Sequence, residues 1–296
     1  MAYGGIEAGG TKFVCGVGTG PHDVVVERFP TRDPGSTLAD VIEFFTHRMR
    51  HGDRIDAVGV ASFGPLELRP DRPAFGRITR TPKPGWSGVD MAGSIADALE
   101  LPVVIDTDVD GAALAEARWG ASRDVRSSIY LTVGTGIGGG AAVDGEPIHG
   151  LVHPEMGHVA VDRAAGDAFE GRCRFHGDCL EGMASGPAIA DRFGAPAQAL
   201  AGADLEEARR LVAWYLASGI RSFVYVFAPE RIVIGGGLSR LPGVFPRIRV
   251  ALMDRLGGYP GLVEQSRVGF VVPAELGDLA GISGALLLAE RACRGR

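Results

Sequence analysis

Two cysteines and one histidine lie within seven residues of this 296-residue chain, with the spacing Cys173-x-x-His176-x-x-Cys179. Thiolate and imidazole ligands at this spacing suit a single tetrahedral metal ion, and zinc fits the donor set best. A fourth ligand is needed, and both histidines of the motif HPEMGH, His153 and His158, lie upstream. Spacing alone leaves both open. The alternatives to a structural zinc site are a redox thiol pair, which the intervening histidine disfavours, and unrelated surface cysteines.

Three aspartates, Asp106, Asp108 and Asp110, lie where the apolar run LPVVID meets an Ala-rich helical pattern over 108–119. Aspartate is favoured at a helix start because its carboxylate accepts backbone N–H groups and interacts with the helix dipole. A single carboxylate is enough for that purpose. The presence of three therefore indicates a further role.

Two glycine-rich segments, EAGGTK at 7–12 and GTGIGG at 134–139, each lie between two strand-like runs. The backbone N–H groups of such a turn can form a concave nest for an anion, and Thr11, Lys12 and Thr135 would add side-chain donors. A hairpin without a ligand explains either segment alone, whereas the pair indicates one segment on each side of a polyphosphate. A third glycine cluster follows the apolar strand RIVI, where a flat base could lie against bare backbone. The glycines assigned to these sites are Gly9, Gly10, Gly134, Gly136, Gly235, Gly236 and Gly237.

The segment GTGIGG also satisfies the dinucleotide-binding pattern G-x-G-x-x-G. That pattern requires a helix directly after the glycines, so that the helix N-terminus meets the pyrophosphate. Here a second strand and a turn at Asp144-Gly145 are expected instead, so a Rossmann site is disfavoured. The chain also lacks the Walker A pattern of the P-loop proteins.

Composition and charge argue against several classes of protein. The formal charge is −6 at pH 7 and no dense Lys/Arg block is present, which disfavours a nucleic-acid-binding surface. The longest apolar stretch, 211–228, contains Arg221 and two serines, so it predicts a buried helix and no membrane span. No signal peptide is recognisable, and the four unevenly spaced cysteines do not form a disulfide framework. We therefore expect a cytoplasmic protein.

The order of the expected elements predicts two successive α/β units, each opened by a strand, a glycine turn and a second strand. In the first unit, Ser36-Thr37 is expected to cap a helix. We expect an N-terminal lobe at 1–117, completed by a C-terminal helix at about 280–296, and a second lobe at 118–279 that carries the Cys/His loop. Two lobes imply a cleft, the usual location of a small-molecule site.

Five segments occur in the order GGIEAGGTKFVCGVG, DTDVDGAALAE, VGTGIGGG, HPEMGH and CRFHGDCLEGMASGPAI. Together they resemble the ROK family of sugar kinases and repressors, and within it the bacterial zinc-containing fructokinase branch. The resemblance extends from residue 4 to the strand around residue 234. It implies the actin-like ATPase fold, an α/β fold with two ribonuclease H-like lobes around a nucleotide cleft.

The resemblance also implies roles for individual residues. Asp108 matches the catalytic base of the family, which accepts the proton of a sugar hydroxyl during phosphoryl transfer. Glu155, His158 and Glu181 match residues that contact the bound sugar. The implied zinc ligands are His158, Cys173, His176 and Cys179. The zinc ion then joins the segment around His158 to the segment that carries Glu181.

The family resemblance also implies roles for two other parts of the chain. The segment ASFGPLEL would line the sugar cleft after a strand and contributes Gly64 and Pro65. Glu7 stands where many family members carry aspartate, and its carboxylate keeps the charge that could hold hydrated Mg²⁺. The implied cofactors are ATP, Mg²⁺ and Zn²⁺, and family members are commonly homodimers.

The loop TPKPGW at 81–86 resembles the fructokinase branch, with two prolines and Trp86 making it rigid. We therefore expect an ATP-dependent kinase that phosphorylates the C6 hydroxyl of fructose. Glucose or mannose kinases of the same family are the alternatives, and a non-catalytic sugar-binding regulator is an alternative of a different class. A DNA-binding repressor is disfavoured because the first glycine turn begins within ten residues of Met1.

Overall fold

The computed structural model describes residues 2–294, which divide into two compact α/β units. Unit one contains the chain up to Trp119, the segment Glu146–Pro154 and the chain from Asp278 onward. Unit two contains Gly120–Gly145 and Glu155–Gly277. Among the described residues, no helix combines the length and the apolar composition needed to cross a bilayer.

Strands and α-helices alternate along the described chain, which confirms the predicted α/β class. The strands are β1 (Ala2–Ala8), β2 (Lys12–Gly18), β3 (Val25–Pro30), β4 (Ile55–Ser62), β5 (Val103–Thr107), β6 (Ser127–Val133), β7 (Ile137–Val143), β8 (Glu146–Pro147), β9 (Arg231–Gly235) and β10 (Val271–Pro273). The helices are α1 (Pro34–Arg50), α2 (Met91–Leu99), α3 (Asp108–Trp119), α4 (Leu180–Ala184), α5 (Gly186–Phe193), α6 (Gly202–Phe227), α7 (Val244–Leu256) and α8 (Ala280–Arg294).

The sheet of unit one has the strand order β3–β2–β1–β4–β5. Strand β1 pairs antiparallel with β2 through the first glycine turn and parallel with β4, and β5 pairs parallel with β4. The register places Ala8 opposite Ser62, and Ser62 opposite Thr107. Because the carboxyl ends of parallel strands meet at one edge of a sheet, Glu7 and Asp108 come from chain segments that reach the same edge.

The start of α1 differs from the expectation. The predicted cap at Ser36-Thr37 is wrong, since both residues lie inside α1 and Asp33 is the N-cap residue. The Asp33 carboxylate accepts a hydrogen bond from Ser36 N at 3.0 Å. Pro34 occupies the first turn, where its fixed φ and its missing N–H are tolerated. The helix therefore begins before the apolar periodicity does.

Trp86 anchors the loop TPKPGW inside unit one. Its side chain is fully buried, and its Nε1 donates a hydrogen bond to Arg32 O at 3.0 Å. The rings of Phe13 and Phe63 pack against it, with centroid distances of 5.5 and 5.4 Å. Aromatic contacts together with a satisfied indole N–H stabilise a buried tryptophan, so the core determines where this loop lies.

The sheet of unit two includes the strands β10–β9–β6–β7 in that order. Strand β6 pairs antiparallel with β7 through the second glycine turn and parallel with β9, as β1 does with β2 and β4. The turn after β7 has φ values of 52° at Asp144 and 79° at Gly145, both positive as a type I′ hairpin turn requires, which confirms the turn predicted there. The shared strand order confirms that the chain contains two hairpin-first α/β units.

Candidate functional site

His158, Cys173, His176 and Cys179 lie together in unit two, with one ligand atom of each residue within 4.8 Å of the others. The Nδ1 atom of His158 lies 3.7 Å from Cys173 Sγ and 3.5 Å from Cys179 Sγ. Cys173 Sγ also lies 3.7 Å from Nδ1 of His176. We call these four residues the Cys/His cluster.

The distances in the Cys/His cluster fit one zinc ion. Tetrahedral zinc bonded to sulfur at about 2.3 Å and to nitrogen at about 2.0 Å separates the two ligand atoms by about 3.5 Å. The three sulfur–nitrogen distances of the cluster lie between 3.5 and 3.7 Å. Burial raises the pKa of the Cys179 thiol to about 11, so a metal ion that binds here must displace its proton.

Backbone hydrogen bonds hold the segments that carry the cluster. Cys173 N donates to Gly177 O at 3.1 Å and Gly177 N donates to Cys173 O at 2.8 Å, which closes a tight loop. Beyond this loop, Leu180 N donates to Val159 O at 3.0 Å. The segment that follows His158 is thereby paired with the start of α4, which brings the ligands together.

Glu181 lies on α4 and reaches the second glycine turn. Its Oε2 atom accepts a hydrogen bond from Ile137 N at 2.9 Å. A Cβ atom at residue 136 would lie 2.6 Å from that oxygen, so Gly136 provides the room that the carboxylate needs. Glu155 is exposed, and its carbonyl oxygen accepts a hydrogen bond from His158 N at 3.0 Å.

The second glycine turn also borders a pocket of about 320 Å³ in unit two. The pocket is lined by Gly134, Thr135, Gly186, Pro187, Gln198, Gly237 and Leu238. The neighbouring Gly236 has a φ of 84°, and a Cβ atom there would lie 2.5 Å from Val133 O, so only glycine fits. Gly186 N donates to Gly134 O at 2.7 Å, which fixes the start of α5 against the turn.

Asp108 begins α3 at the edge of the sheet in unit one, directly after β5. Its Oδ1 atom accepts a hydrogen bond from Val109 N at 3.0 Å. Removal from water raises the pKa of Asp108 to about 7, and the negative charge of Glu7 adds to the increase. A carboxylate with this pKa can both accept and release a proton near neutral pH.

Glu7 lies in β1, immediately before the first glycine turn. Burial raises the pKa of Glu7, although the positive charge of Lys12 opposes the increase. Its Oε2 atom is buried and has no hydrogen-bond partner among the described residues. A Cβ atom at residue 281 would lie 2.5 Å from Glu7 Cδ, so Gly281 leaves space for the carboxylate. An unpartnered carboxylate oxygen of this kind suits a hydrated magnesium ion.

The first glycine turn joins β1 and β2 and faces solvent. Gly9 N donates to Lys12 O at 3.0 Å, and Thr31 N donates to Thr11 O at 3.0 Å. Gly10, Thr11 and Lys12 are exposed. The turn therefore has a defined backbone and presents polar groups to a ligand.

His153, the alternative zinc ligand, lies in unit one and has another partner. Its ring is buried, and Nε2 accepts a hydrogen bond from Leu66 N at 3.1 Å. Gly64 and Pro65, which are joined by a cis peptide bond, precede this contact. A Cβ atom at residue 64 would lie 3.3 Å from the same nitrogen. The structure thus groups His158, and not His153, with the two cysteines.

A cluster that the sequence analysis missed flanks Asp108. His149 Nε2 lies 3.0 Å from Asp106 Oδ1 and 3.3 Å from Asp110 Oδ2, and both aspartates are buried. The hydrogen bonds to Asp106 and Asp110 raise the pKa of His149 to about 10, so an imidazolium faces two carboxylates. The three aspartates were visible in sequence, but nothing in the sequence connected them to this distant histidine.

Comparison with known proteins places the chain in a family. A model of the ROK family matches residues 3–292. This chain belongs to the ROK family. A fructokinase of Zymomonas mobilis is 44% identical to it over 290 residues, which is 97% of this chain and 96% of that protein. A putative fructokinase of Bacillus subtilis is 39% identical, with 98% of this chain and 95% of that protein covered.

A solved structure of a ROK hexokinase from Thermus thermophilus resembles this ROK-family chain with a TM-score of 0.81 and 28% identity, covering 100% of both chains. Together with the family match, this similarity confirms the predicted two-lobed actin-like ATPase fold.

The predicted site residues of this ROK-family chain fall into both units. Unit one contains Glu7, Gly9, Gly10, Thr11, Lys12, Gly64, Pro65 and Asp108. Unit two contains Gly134, Thr135, Gly136, Glu155, His158, Cys173, His176, Cys179, Glu181, Gly235, Gly236 and Gly237. Gly136, Gly235 and Gly236 are not among the described lining residues of the pocket, whereas Gln198 and Leu238, which sequence reasoning missed, line it.

Proposed function

We propose that this protein is an ATP-dependent fructokinase that transfers the γ-phosphoryl group of Mg-ATP to the C6 hydroxyl of D-fructose. The observation that carries the proposal is the 44% identity to the Zymomonas mobilis fructokinase over 97% of this chain. The half-buried carboxylate of Asp108 at the start of α3 supports the chemistry, because a kinase of this kind requires a proton acceptor.

Asp108 is the general base in this proposal. The C6 hydroxyl donates its proton to the Asp108 carboxylate while the C6 oxygen forms a bond to the γ-phosphorus. The bond between that phosphorus and the β-phosphate oxygen breaks, which yields ADP and fructose 6-phosphate. The pKa of about 7 supports the role, since Asp108 can take up this proton and release it to water after turnover.

Both glycine turns are assigned to the nucleotide. Residues 9–12 and 134–136 would donate backbone and side-chain hydrogen bonds to phosphate oxygens. The pocket of about 320 Å³, together with the backbone of Gly235–Gly237, is assigned to the adenosine part of ATP. Glu7, whose Oε2 has no hydrogen-bond partner among the described residues, would hold a hydrated magnesium ion, and that ion would supply positive charge near the phosphates.

The Cys/His cluster is assigned to a structural zinc ion that positions sugar-binding residues. The Nδ1 atom of His158 is directed at both cysteines, which leaves its Nε2 for a sugar hydroxyl. The cluster also holds the start of α4, where Glu181 lies. Carboxylates accept hydrogen bonds from sugar hydroxyls. The residues assigned to sugar binding are Glu155, His158, Glu181, Gly64 and Pro65.

A screen of hexoses tests the proposal. Purified protein is incubated with Mg-ATP and fructose, glucose or mannose, and ADP release is followed in a coupled assay, with ³¹P NMR to identify the product. We expect kcat/KM for fructose to exceed the other values by about tenfold or more. An equal or higher kcat/KM for glucose would overturn the fructose assignment. Binding of sugar without ADP release would support the non-catalytic regulator instead.

Further assignments accompany the kinase proposal. The proposed lobes are 1–117 with about 280–296, and 118–279, and they differ from the compact units in the segment Glu146–Pro154, which belongs to unit one. The protein is proposed to be a cytoplasmic homodimer that does not bind nucleic acid. Light scattering after size-exclusion chromatography would distinguish a dimer from a monomer, and a filter-binding assay with duplex DNA would detect nucleic-acid binding.

A further inference from the structure

The loop TPKPGW contains a lysine, Lys83, that the proposed mechanism leaves without a role. Lys83 lies between Pro82 and Pro84, and prolines on both sides restrict the backbone that presents its side chain. Ser87 Oγ accepts a hydrogen bond from Thr81 N at 3.1 Å and donates one to Thr81 O at 3.2 Å, which closes the loop. A lysine on such a restrained loop loses less conformational freedom on binding than one on a mobile surface segment.

The Lys83 side chain reaches the first glycine turn, far away along the chain. Its Nζ atom donates a hydrogen bond to Gly10 O. Trp86, three residues further on, is fully buried, so the core of unit one determines the position from which Lys83 extends. The contact therefore joins two elements whose positions are set independently.

The surroundings of the turn are open on the side of Gly10. A Cβ atom at Gly10 would meet no atom within 4 Å, whereas one at Gly9 would lie 2.8 Å from Lys12 O. The positive charge of Lys12 acts on the buried carboxylate of Glu7, where it opposes the effect of burial on the Glu7 pKa. The bond to this backbone carbonyl uses one of the three N–H donors of the Lys83 ammonium group, so the others can bind a ligand.

We propose that Lys83 binds the terminal phosphates of the nucleotide, as a second cation beside the first glycine turn. The inference rests on the proposed kinase function. Its ammonium group can keep its hydrogen bond to Gly10 O and donate another to a β- or γ-phosphate oxygen. A phosphate oxygen carries negative charge, so this bond is stronger than the bond to the carbonyl. The loop TPKPGW then contributes to ATP binding and to stabilising charge that develops during phosphoryl transfer.

Lys83→Gln and Lys83→Met test the inference, because glutamine can still donate to Gly10 O but carries no charge. Calorimetry measures the affinity for ATP, ADP and adenosine, and ADP release measures kcat and the fructose KM. In both variants we expect ATP affinity to fall about tenfold or more, ADP affinity to fall less, and adenosine affinity and the fructose KM to stay unchanged. Lys83→Arg should retain most of the ATP affinity. The matched control is Arg80→Met, which removes an exposed positive charge next to the same loop and should leave ATP affinity unchanged.

Three results would overturn the inference. In one such result, Lys83→Met loses affinity for ATP and adenosine equally and Lys83→Gln behaves like the wild type. This would mean that Lys83 only stabilises the first glycine turn through its hydrogen bond to Gly10 O. A raised fructose KM with unchanged ATP affinity would place Lys83 at the sugar. Wild-type kinetics and ATP affinity in both variants would exclude any role in turnover. An inactive wild-type protein would contradict the proposed function itself, which separates the two failures.

Discussion

The two glycine turns of this chain share a strand–turn–strand frame but differ in what surrounds them. The turn of unit one is bordered by ionisable groups, since Glu7 precedes it, Lys12 ends it and Lys83 donates to it. The pocket beside the turn of unit two is lined, among the described residues, by uncharged side chains and glycine backbone. The carboxylate of Glu181 reaches that second turn, but it is held by Ile137 N.

This difference separates two tasks that a kinase must perform. Charged groups near the first turn suit phosphoryl transfer, which requires a proton acceptor and positive charge. The uncharged pocket beside the second turn suits shape recognition of a nucleoside by backbone and small residues. Both units have the same strand order, so the topology does not explain why the two turns differ. The difference comes from the side chains that neighbouring segments place next to each turn.

The largest expected effect comes from Asp108, the proposed base in unit one. Asp108→Asn keeps the size of the side chain but removes the proton acceptor, so we expect kcat with fructose to fall about 100- to 10,000-fold. ATP affinity, measured by calorimetry, should change by less than about threefold, because Asp108 is not assigned to the nucleotide. A kcat within about tenfold of the wild type, or a barrier change below about 1.4 kcal/mol, would contradict the assignment.

The pH profile of the wild-type enzyme tests the same residue without a substitution. Asp108 must be ionised to accept a proton, and its pKa is raised to about 7. We therefore expect kcat/KM for fructose to rise with pH through about 7 and to level off above it. The residual activity of Asp108→Asn should lack this rise. A wild-type profile that is flat across this range would argue against Asp108 as the base.

Loss of the Cys/His cluster should have the next largest effect, and among the kinetic parameters it should change mainly the fructose KM. Cys179→Ala should abolish zinc binding, measured by elemental analysis, and raise the fructose KM about 10- to 100-fold, because the support of His158 and Glu181 is lost. The melting temperature should fall as well. Cys293→Ala, which alters a cysteine on α8 outside the cluster, is the matched control. A metal-free Cys179→Ala protein with normal fructose kinetics would rule the zinc role out.

Adding one methyl group to each turn should reveal the difference in their packing. A Cβ atom at residue 136 would lie 2.6 Å from Glu181 Oε2, whereas one at residue 10 would meet nothing within 4 Å. We expect Gly136→Ala to lower the free energy of unfolding by about 1 kcal/mol, because the Glu181 carboxylate must shift and its hydrogen bond from Ile137 N weakens. Gly10→Ala should change it by less than about 0.5 kcal/mol. Denaturant unfolding measures both values, and a larger loss in Gly10→Ala would contradict the structure.

The smallest expected effect concerns His149. Its hydrogen bonds to Asp106 and Asp110 raise its pKa to about 10, so its contribution to stability is complete below the unfolded-state value of about 6.5 and is lost as pH rises through about 10. The difference in melting temperature between the wild type and His149→Gln should therefore shrink as pH increases over this range. His22→Gln, at an exposed histidine, is the matched control. A difference for His149→Gln that stays constant with pH would mean that the ion pair does not stabilise the fold.

Local sequence patterns correctly predicted those elements whose formation depends on residues that are close together in the sequence. Helix α3 over 108–119 and the turn at Asp144-Gly145 were predicted and are confirmed, because periodicity and turn chemistry depend on near neighbours. Three ligands of the Cys/His cluster, Cys173, His176 and Cys179, were also evident, since they lie within one loop. The wrong cap of α1 shows the limit of such patterns, because Asp33 and Pro34 lie outside the apolar repeat that marked the helix.

Tertiary packing decided the contacts between segments that are far apart along the chain. Spacing alone left His153 and His158 open, and the family resemblance implied His158. The structure adds the physical reason, because Nε2 of His153 accepts a hydrogen bond from Leu66 N. The pairing of His149 with two aspartates and the reach of Lys83 to Gly10 likewise join segments that no local pattern connects. Side-chain identity determines which bonds are available, but the burial of apolar residues determines which of these groups meet.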